Sequence, residues 1–173
     1  ELLAFLDSGD PPLFSGFGSM PVPDPQRTTA QIVDAVRLCR KRAILHAGWA
    51  GLGGKLPPEI LPVSYAPYGW LFPRLAGIIH HGGSGTTGFA LRSGVPSLVV
   101  PFGFDQFYWG KKTAELGVGP QALPFRQLNV VRLAEAIQEL TCNSMLRQKA
   151  SELEAKIRAE DGLQRAVEII GAF

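Results

Sequence analysis

Residues 77–87 read Gly-Ile-Ile-His-His-Gly-Gly-Ser-Gly-Thr-Thr, and this run decides the fold of the chain. Its apolar first half predicts a buried β-strand, and its glycines predict a tight turn into a helix that begins near Thr86. Because glycine has no side chain, the backbone N–H groups of such a turn can approach a ligand closely. The helix N-terminus adds the positive end of its dipole. The run therefore predicts an anion site that suits a diphosphate.

The rest of the chain repeats the alternation of short apolar segments and helical patterns. Strands are predicted at 12–17, 42–46, 62–65 and 97–100, and helices at 25–40, 69–72, 86–93 and 106–116. The C-terminal part is predicted to be helical, with Ser144 as an N-cap and a last amphipathic segment at 162–170. This alternation is typical of the α/β class, here a Rossmann-like parallel sheet with helices on both faces. Ligands of such sheets bind beyond the carboxyl ends of the strands.

Length, charge and cysteine content limit the classes of protein that remain. The 173 residues suit a single domain, residues 1–173, and the net charge of +2 without a basic run argues against nucleic acid as a partner. Cys39 and Cys142 demand no disulfide, no apolar run reaches the roughly 20 residues of a membrane span, and no signal peptide is recognised. A cytoplasmic location is therefore predicted. Because the chain starts at Glu1 without Met, we expect it to be part of a longer protein.

Side chains around the glycine run can donate hydrogen bonds to an anion. Thr86 and Thr87 supply hydroxyls, and His81 supplies an N–H that can carry charge near neutral pH. Alternation along the strand points His80 away from His81, so we interpret His80 as a packed structural histidine. The simpler alternative is a glycine turn that serves only strand-to-helix packing, but the number of converging donors favours the anion site.

A dinucleotide-binding loop is a second interpretation of the same residues. Gly83, Gly85 and Gly88 form a literal Gly-x-Gly-x-x-Gly, and Asp105 follows at nearly the spacing of a ribose-binding carboxylate. However, the run follows the fourth predicted strand and not the first, and Asp105 lies past the end of the next strand. An NAD-binding domain and a non-catalytic nucleotide-sugar-binding module therefore stay as alternatives. A serine hydrolase is disfavoured because Ser84 lacks the glycine pattern of a nucleophile elbow.

Four sequence blocks resemble the donor-site signature of UDP-sugar glycosyltransferases with the GT-B fold. They are Phe17-Gly18-Ser19-Met20, Trp70-Leu71-Phe72-Pro73, the run 81–87 with the following Gly94-Val95-Pro96, and Pro101-Phe102-Gly103-Phe104-Asp105-Gln106. Their order and spacing extend the likeness over residues 11–161, nearly the whole chain. The chain is most similar to sterol 3-beta-glucosyltransferases and related bacterial antibiotic glycosyltransferases. The resemblance implies the C-terminal, donor-binding half of a GT-B enzyme.

The resemblance also implies a role for each matching residue. The diphosphate would be held by two facing loops, with Gly18 and Ser19 in one and His81, Gly82, Gly83, Ser84, Gly85 and Thr86 in the other. Asp105 and Gln106 would bind hydroxyls of the transferred sugar, for which glucose is expected, because a carboxylate beside an amide can accept from and donate to a vicinal diol. The alternative for Asp105 is an N-cap of the next helix, and both roles can hold together.

The nucleobase would lie near residues 65–68. Ala66 and Tyr68 are the residues implied there, with Trp49 as a lining or stacking residue. The alternative for Trp49 is ordinary packing in the core or in a loop. Relatives often have His at the position of Tyr68, so the sequence departs from the family pattern at this point.

The implied reaction is an inverting, metal-independent transfer of a hexose to a hydroxyl of a lipophilic acceptor such as a sterol. No cofactor is expected, since the UDP-sugar is a substrate, and no Asp-x-Asp pair is present to hold a metal. In the resembled family the catalytic base is a histidine of the N-terminal domain, which also forms the acceptor pocket. We therefore expect no catalytic residue in this chain and no transfer by it alone. The final helix, about 162–173, is a candidate to pack on that N-terminal domain, and a lipophilic acceptor would bring the full-length enzyme to a membrane.

Overall fold

The computed structural model describes residues 1–160 and 162–172, and their centre is a five-stranded sheet. The strands are Leu13–Gly16 (β1), Ala43–His46 (β2), Ile60–Val63 (β3), Gly77–His80 (β4) and Ser97–Val99 (β5). They lie in the order β3-β2-β1-β4-β5, and every neighbouring pair is parallel. The predicted α/β class is confirmed. The third strand begins at Ile60 and not at residue 62, because Ile60 and Leu61 supply its buried side chains.

Alternate side chains of the strands point to opposite faces of the sheet, and both faces are covered. One face carries Phe14, Ile44 and Ile78, packed with Leu71, Phe72, Leu75 and Ala90. The other face carries Leu13, Leu45, Ile79 and Leu98, packed with Ile32, Val36, Leu133 and Ile137. Burial of the strands on both sides explains their nearly continuous apolar character in the sequence.

Within the described residues, eight α-helices surround the sheet. They are Leu2–Asp7 (α1), Pro25–Leu38 (α2), Tyr68–Leu71 (α3), Ser84–Arg92 (α4), Gln106–Glu115 (α5), Val130–Cys142 (α6), Ser144–Ala159 (α7) and Gly162–Gly171 (α8). The pattern predicts all of them except α1, which buries no residue and therefore shows no apolar stripe. Tertiary contacts support α1, because the guanidinium of Arg42 lies 4.1 Å from the ring centroid of Phe5.

Capping side chains set several helix starts. The carboxylate of Asp24 accepts from the N–H of Arg27 at 2.9 Å, so α2 begins directly after it. The prediction that Ser144 is the N-cap is wrong, because Oδ1 of Asn143 accepts from the N–H of Met145 at 3.1 Å and Ser144 is already helical. Helix α4 begins at Ser84, earlier than the predicted Thr86, because Gly83 occupies the N-cap position.

The strand order reverses between β1 and β4, with β2 and β3 on one side and β5 on the other. The last residue of β1, Gly16, is paired with the last residue of β4, His80. The loops that follow these two strands therefore leave the sheet side by side. In open parallel sheets this point of reversal forms the crevice in which ligands bind.

Helix α8 lies on the outside of the domain. None of its described residues is buried, and Leu163, Val167 and Ile170 share one exposed face. The predicted likeness ends at Asp161 and the predicted final helix extends to Phe173, and these two residues lie outside the described residues. None of the helices described is long and apolar enough to span a membrane.

Candidate functional site

His81 directly follows β4, and its imidazole lies between the β1 and β4 loops. Two glycines leave room for the ring. A β-carbon on Gly18 would lie 2.8 Å from Cε1 of His81, and a β-carbon on Gly83 would overlap Nε2. Gly18 also has a φ of +59°, in the left-handed region that favours glycine. The imidazole is thus held between two backbones, and its buried Nδ1 has no hydrogen-bond partner among the described residues.

The N–H of Gly82 is engaged inside the protein. It donates to Nδ1 of His80 at 3.1 Å, and His80 is fully buried. Gly82 also packs against α5, because a β-carbon there would lie 3.1 Å from the carbonyl oxygen of Gln106. His80 is therefore the structural residue that the strand alternation predicts, and Gly82 supplies the shape of the loop while its amide already has an acceptor.

The free donors of the glycine run lie at the start of α4. Gly83 is the N-cap residue and makes no side-chain capping bond, and the first intrahelical bond is made by the N–H of Thr87. The N–H groups of Ser84, Gly85 and Thr86 are consequently left without helical acceptors. Three free N–H groups and a helix dipole at one end of a crevice can bind an anion.

Thr87 does not belong to this site. Its hydroxyl donates to the carbonyl of Gly83 at 2.9 Å, and the side chain is fully buried. The prediction that Thr87 offers a hydroxyl donor to the anion is therefore wrong, because a threonine one turn into a helix bonds to its own backbone.

The β1 loop faces the glycine run across the crevice. Gly18 is partly exposed and Ser19 is exposed, so the Ser19 hydroxyl is open to a ligand. The carbonyl of Gly18 accepts from the N–H of Trp49 at 3.2 Å, which joins the β1 loop to the β2 loop. The structure thus brings Gly18 against His81 and leaves the neighbouring Ser19 exposed.

Burial dominates the electrostatics of the histidines. It lowers the pKa of His80 to about 3, so this ring is neutral at physiological pH. Burial also lowers the pKa of His81, and the carboxylate of Asp105 opposes this by favouring the charged ring. An anion bound beside His81 would favour its charged form. Within the described part of the chain, no group of three or more His, Cys, Asp or Glu is placed to bind a metal.

Asp105 and Gln106, the two residues predicted to bind the sugar, lie in different environments in the structure. Asp105 is exposed, whereas Gln106 is 3% exposed and its side chain is engaged. Oε1 of Gln106 accepts from the N–H groups of Phe102 at 2.8 Å and Gly103 at 3.3 Å, and Nε2 donates to Sδ of Met20 at 3.0 Å. Gln106 therefore shapes the β5 loop and connects it to the β1 loop. Contrary to the expectation from the resemblance, its side chain is not open to a sugar.

A groove of about 450 Å³ lies beside the ends of β2 and β3. It is lined by His46, Tyr65, Ala66, Pro67, Tyr68, Gly69 and Phe89. The Tyr68 ring stacks on Phe72 with centroids 4.5 Å apart, so one face is packed inside. The structure brings Ala66 and Tyr68 together as predicted. Trp49 is 86% exposed and is not part of this lining.

His46 is a residue that the sequence interpretation missed. It ends β2, lines the groove, and has a buried Nδ1 without a hydrogen-bond partner in the described chain. Burial lowers its pKa, and a hydrogen bond with the Ser64 backbone opposes this. Its position at the end of a predicted strand could have identified it, because polar residues at the carboxyl ends of parallel strands face the ligand crevice.

The chain is similar in sequence and in fold to known glycosyltransferases. Residues 43–172 match the family model described as the C-terminal domain of erythromycin biosynthesis protein CIII-like proteins. The chain belongs to this family. A sterol 3-beta-glucosyltransferase of Arabidopsis thaliana is 37% identical over 171 residues, which are 97% of this glycosyltransferase domain and 28% of the relative. A sterol 3-beta-glucosyltransferase of Pichia angusta is 42% identical over 165 residues, 91% of the domain and 13% of the relative.

Solved structures give the same result. The glycotransferase of kitacinnamycin matches with a TM-score of 0.82 and 25% identity, over 94% of this domain and 43% of that chain. The calicheamicin glycosyltransferase CalG4 matches with a TM-score of 0.80 and 23% identity, over 96% of the domain and 43% of that chain. The predicted resemblance and the GT-B fold are thereby confirmed, and the domain corresponds to the C-terminal part of glycosyltransferases. This relationship favours the glycosyltransferase hypothesis over an NAD-binding domain.

Proposed function

We propose that this domain binds UDP-glucose as the donor half of an inverting, metal-independent glycosyltransferase. The position of His81 carries the proposal, because its unpartnered Nδ1 lies where the strand order reverses, beside the free N–H groups of α4. An imidazole, a helix N-terminus and a facing loop together suit a diphosphate. The names of the sterol glucosyltransferase relatives support glucose as the sugar and a lipophilic hydroxyl compound as the acceptor.

The site would act on the leaving group. When the sugar departs, negative charge develops on the diphosphate, and donors fixed in advance stabilise that charge most effectively. The N–H groups of Ser84, Gly85 and Thr86 are fixed by the helix, and the hydroxyl of the exposed Ser19 would approach from the facing loop. His81 would add a positive charge on protonation, so the site can neutralise the diphosphate without a metal.

The sugar and base would extend in opposite directions from the diphosphate. The start of α5 packs against the glycine run at Gly82, so the exposed carboxylate of Asp105 would meet hydroxyls of the sugar next to the diphosphate. The groove at Ala66 and Tyr68 would receive uracil, and the exposed Trp49 would cover it from the β2 loop. This arrangement uses the loops after β1, β2, β3, β4 and β5, all at the same edge of the sheet.

The second half of the catalyst would be an N-terminal domain. The Arabidopsis relative is several times longer than the chain, which spans 28% of it. We propose that the missing half supplies the acceptor pocket and a histidine base that takes the acceptor proton. The exposed face of α8, with Leu163, Val167 and Ile170, would pack against that half. The isolated domain would then bind the donor and transfer nothing.

Calorimetric titration with UDP-glucose, UDP, dTDP and NAD tests the donor proposal. We expect UDP-glucose and UDP to bind in the presence of EDTA as well as in its absence, and NAD not to bind. Preferential binding of NAD would replace the proposal by the dinucleotide alternative. Loss of binding in EDTA would contradict the metal-independent site.

A transfer assay separates a catalytic half from a non-catalytic nucleotide-sugar module. The isolated domain and the longer protein that carries it are each incubated with UDP-glucose and a sterol. We expect a sterol glucoside only from the longer protein. Robust transfer by the isolated domain would show that the base lies within these residues, and donor binding without transfer by either form would favour the non-catalytic module.

A further inference from the structure

Trp109 lies one helical turn beyond Asp105, and the two side chains are joined at the start of α5. The indole N–H of Trp109 donates to Oδ2 of Asp105 at 3.0 Å. Residues at i and i+4 share a helix face, so this contact follows from the spacing of the two residues. Oδ1 of Asp105 makes no hydrogen bond within the described residues, and the aspartate is exposed. One carboxylate oxygen is therefore fixed and the other is open.

Asp105 does not cap α5, although it precedes the helix. A capping aspartate usually adopts an extended backbone and accepts from the N–H of the second or third helical residue. Asp105 instead has helical angles, φ −69° and ψ −10°, and makes no side-chain capping bond. The alternative interpretation, in which the Asp105 side chain caps α5, is therefore wrong. Its carboxylate is turned away from the helix N–H groups and held by the indole.

Gln106 cannot take the place of Asp105 as the open polar group of this turn. Its amide oxygen is occupied by two backbone N–H groups of the β5 loop, and its amide nitrogen contacts Met20. A sugar hydroxyl that bonded to Gln106 would have to displace these buried contacts, which is costly. Of the adjacent acid and amide, only the acid presents a free acceptor.

The start of α5, directly after Asp105, packs against the loop that carries the proposed phosphate donors. Gly82 packs against the first turn of α5, with its β-carbon position 3.1 Å from the Gln106 carbonyl oxygen. The negative charge of Asp105 also raises the pKa of His81, against the effect of burial. A hexose attached to a diphosphate at His81 would therefore reach the carboxylate.

We propose that Trp109 is a positioning residue that orients the Asp105 carboxylate toward the hydroxyls of the donor sugar. The inference rests on the proposed donor function and adds to it the residue that sets sugar recognition. A carboxylate free to rotate would lose conformational entropy on binding, whereas one held by the indole has less to lose. The gain would apply to the sugar alone, because UDP lacks the hydroxyls that the Asp105 carboxylate would bind.

Affinities of UDP-glucose and UDP, measured in parallel by calorimetry, test the inference. Trp109→Phe removes the donor and keeps a ring against Tyr108, whose centroid lies 5.3 Å away. We expect the UDP-glucose affinity to fall roughly three- to tenfold, as for one lost hydrogen bond, with unchanged UDP affinity. Trp109→Gln restores an N–H donor at i+4 and should recover most of the loss. Equal losses for both ligands, or no loss for either, would overturn the inference.

A double-mutant cycle with Asp105→Ala gives a second readout that does not depend on one variant. In the Asp105→Ala background, Trp109→Phe should change neither affinity, because its only effect is through the carboxylate. An undiminished effect of Trp109→Phe in that background would also overturn the inference. If the unmodified domain binds neither UDP-glucose nor UDP, the proposed function fails and the inference fails with it. If the domain binds both ligands and the variants leave their ratio unchanged, only the inference fails.

Discussion

The β-carbon position of Gly18 lies 2.8 Å from Cε1 of His81, so a side chain at residue 18 and the imidazole at residue 81 compete for one space. The same glycine accepts a hydrogen bond from the N–H of Trp49 through its carbonyl. Three loops from three strands therefore meet at Gly18. Its missing side chain lets the imidazole reach the crevice.

Gly18→Ala should therefore damage both the fold and the site. The added methyl group meets His81, and the residue must keep a φ of +59° that alanine rarely adopts. We expect the free energy of unfolding to fall by about 1–3 kcal/mol, measured by urea denaturation. UDP affinity should fall by at least about tenfold because the imidazole is displaced. Wild-type affinity in a folded Gly18→Ala variant would show that His81 does not touch the ligand.

Gly85→Ala is the matched control for that variant. No atom lies within 4 Å of the β-carbon position of Gly85, and the residue is in the first turn of α4. Stability should stay equal or rise by up to about 1 kcal/mol, because alanine favours the helix. UDP affinity should nevertheless fall, since the methyl group occupies the space in front of a phosphate-binding amide. An unchanged affinity would remove the Gly85 amide from the proposed phosphate contacts.

His81→Ala should distinguish phosphate binding from base binding. The variant loses a donor to a charged group, which is worth about 1.5–3 kcal/mol, so UDP affinity should fall by roughly tenfold to a hundredfold. Uridine has no phosphate, and its affinity should not change. His46→Ala, in the groove proposed for the base, should weaken uridine and UDP alike. Equal losses of uridine and UDP in His81→Ala would place His81 outside the phosphate site.

UDP-glucose binding should be linked to proton uptake by His81. Burial holds the pKa of His81 below its ordinary 6.5 in the free domain, and a bound diphosphate would raise it. The complex then binds more protons than the free domain between these two pKa values. Affinity should therefore be higher at low pH and decrease as pH rises through the pKa of the complex. Calorimetry in buffers of different ionisation enthalpy measures the uptake, and His81→Ala should abolish it. A pH-independent affinity in the unmodified domain would contradict this linkage.

His80 should make the fold less stable in acid. Its pKa falls from 6.5 to about 3 on folding, so below pH 6.5 the unfolded chain binds a proton that the folded domain does not. Above pH 6.5 the ring is neutral in both the folded and the unfolded chain, and its full contribution to the free energy of unfolding is present. It should be lost by roughly 1 kcal/mol for each pH unit as pH falls toward 3. The pKa values of His46 and His81 are also lowered by burial, so these residues destabilise the fold in acid as well. The test is therefore the difference in pH dependence between the unmodified domain and His80→Asn. Asparagine keeps an acceptor for the N–H of Gly82 and does not titrate, and parallel pH profiles would refute the assignment.

The sequence by itself determined the fold class and the place of the crevice. Apolar segments of strand length alternate with helical stripes, and this local pattern predicts which residues are buried in a two-sided sheet. The glycine run at 81–87 predicted a tight turn before a helix, because backbone freedom is a property of the residue type. Strand alternation likewise separated the structural His80 from His81. The resemblance to glycosyltransferases added the proposed roles of Ser19 in phosphate binding and of Asp105 in sugar binding.

Only the tertiary structure decided which of these polar groups remain available. Three predicted donors are occupied by partners inside the protein. The N–H of Gly82 donates to His80, the side-chain amide of Gln106 donates to Met20, and the hydroxyl of Thr87 donates to the carbonyl of Gly83. Trp109 holds Asp105, and His46 enters the groove, although neither was predicted. Spacing along the chain can suggest a candidate pair within one helix, but hydrogen-bond competition depends on loops that are distant in sequence and meet at the sheet edge. Which acceptor lies next to a given donor depends on the loops that the paired strands bring together, so it is known only from the tertiary structure.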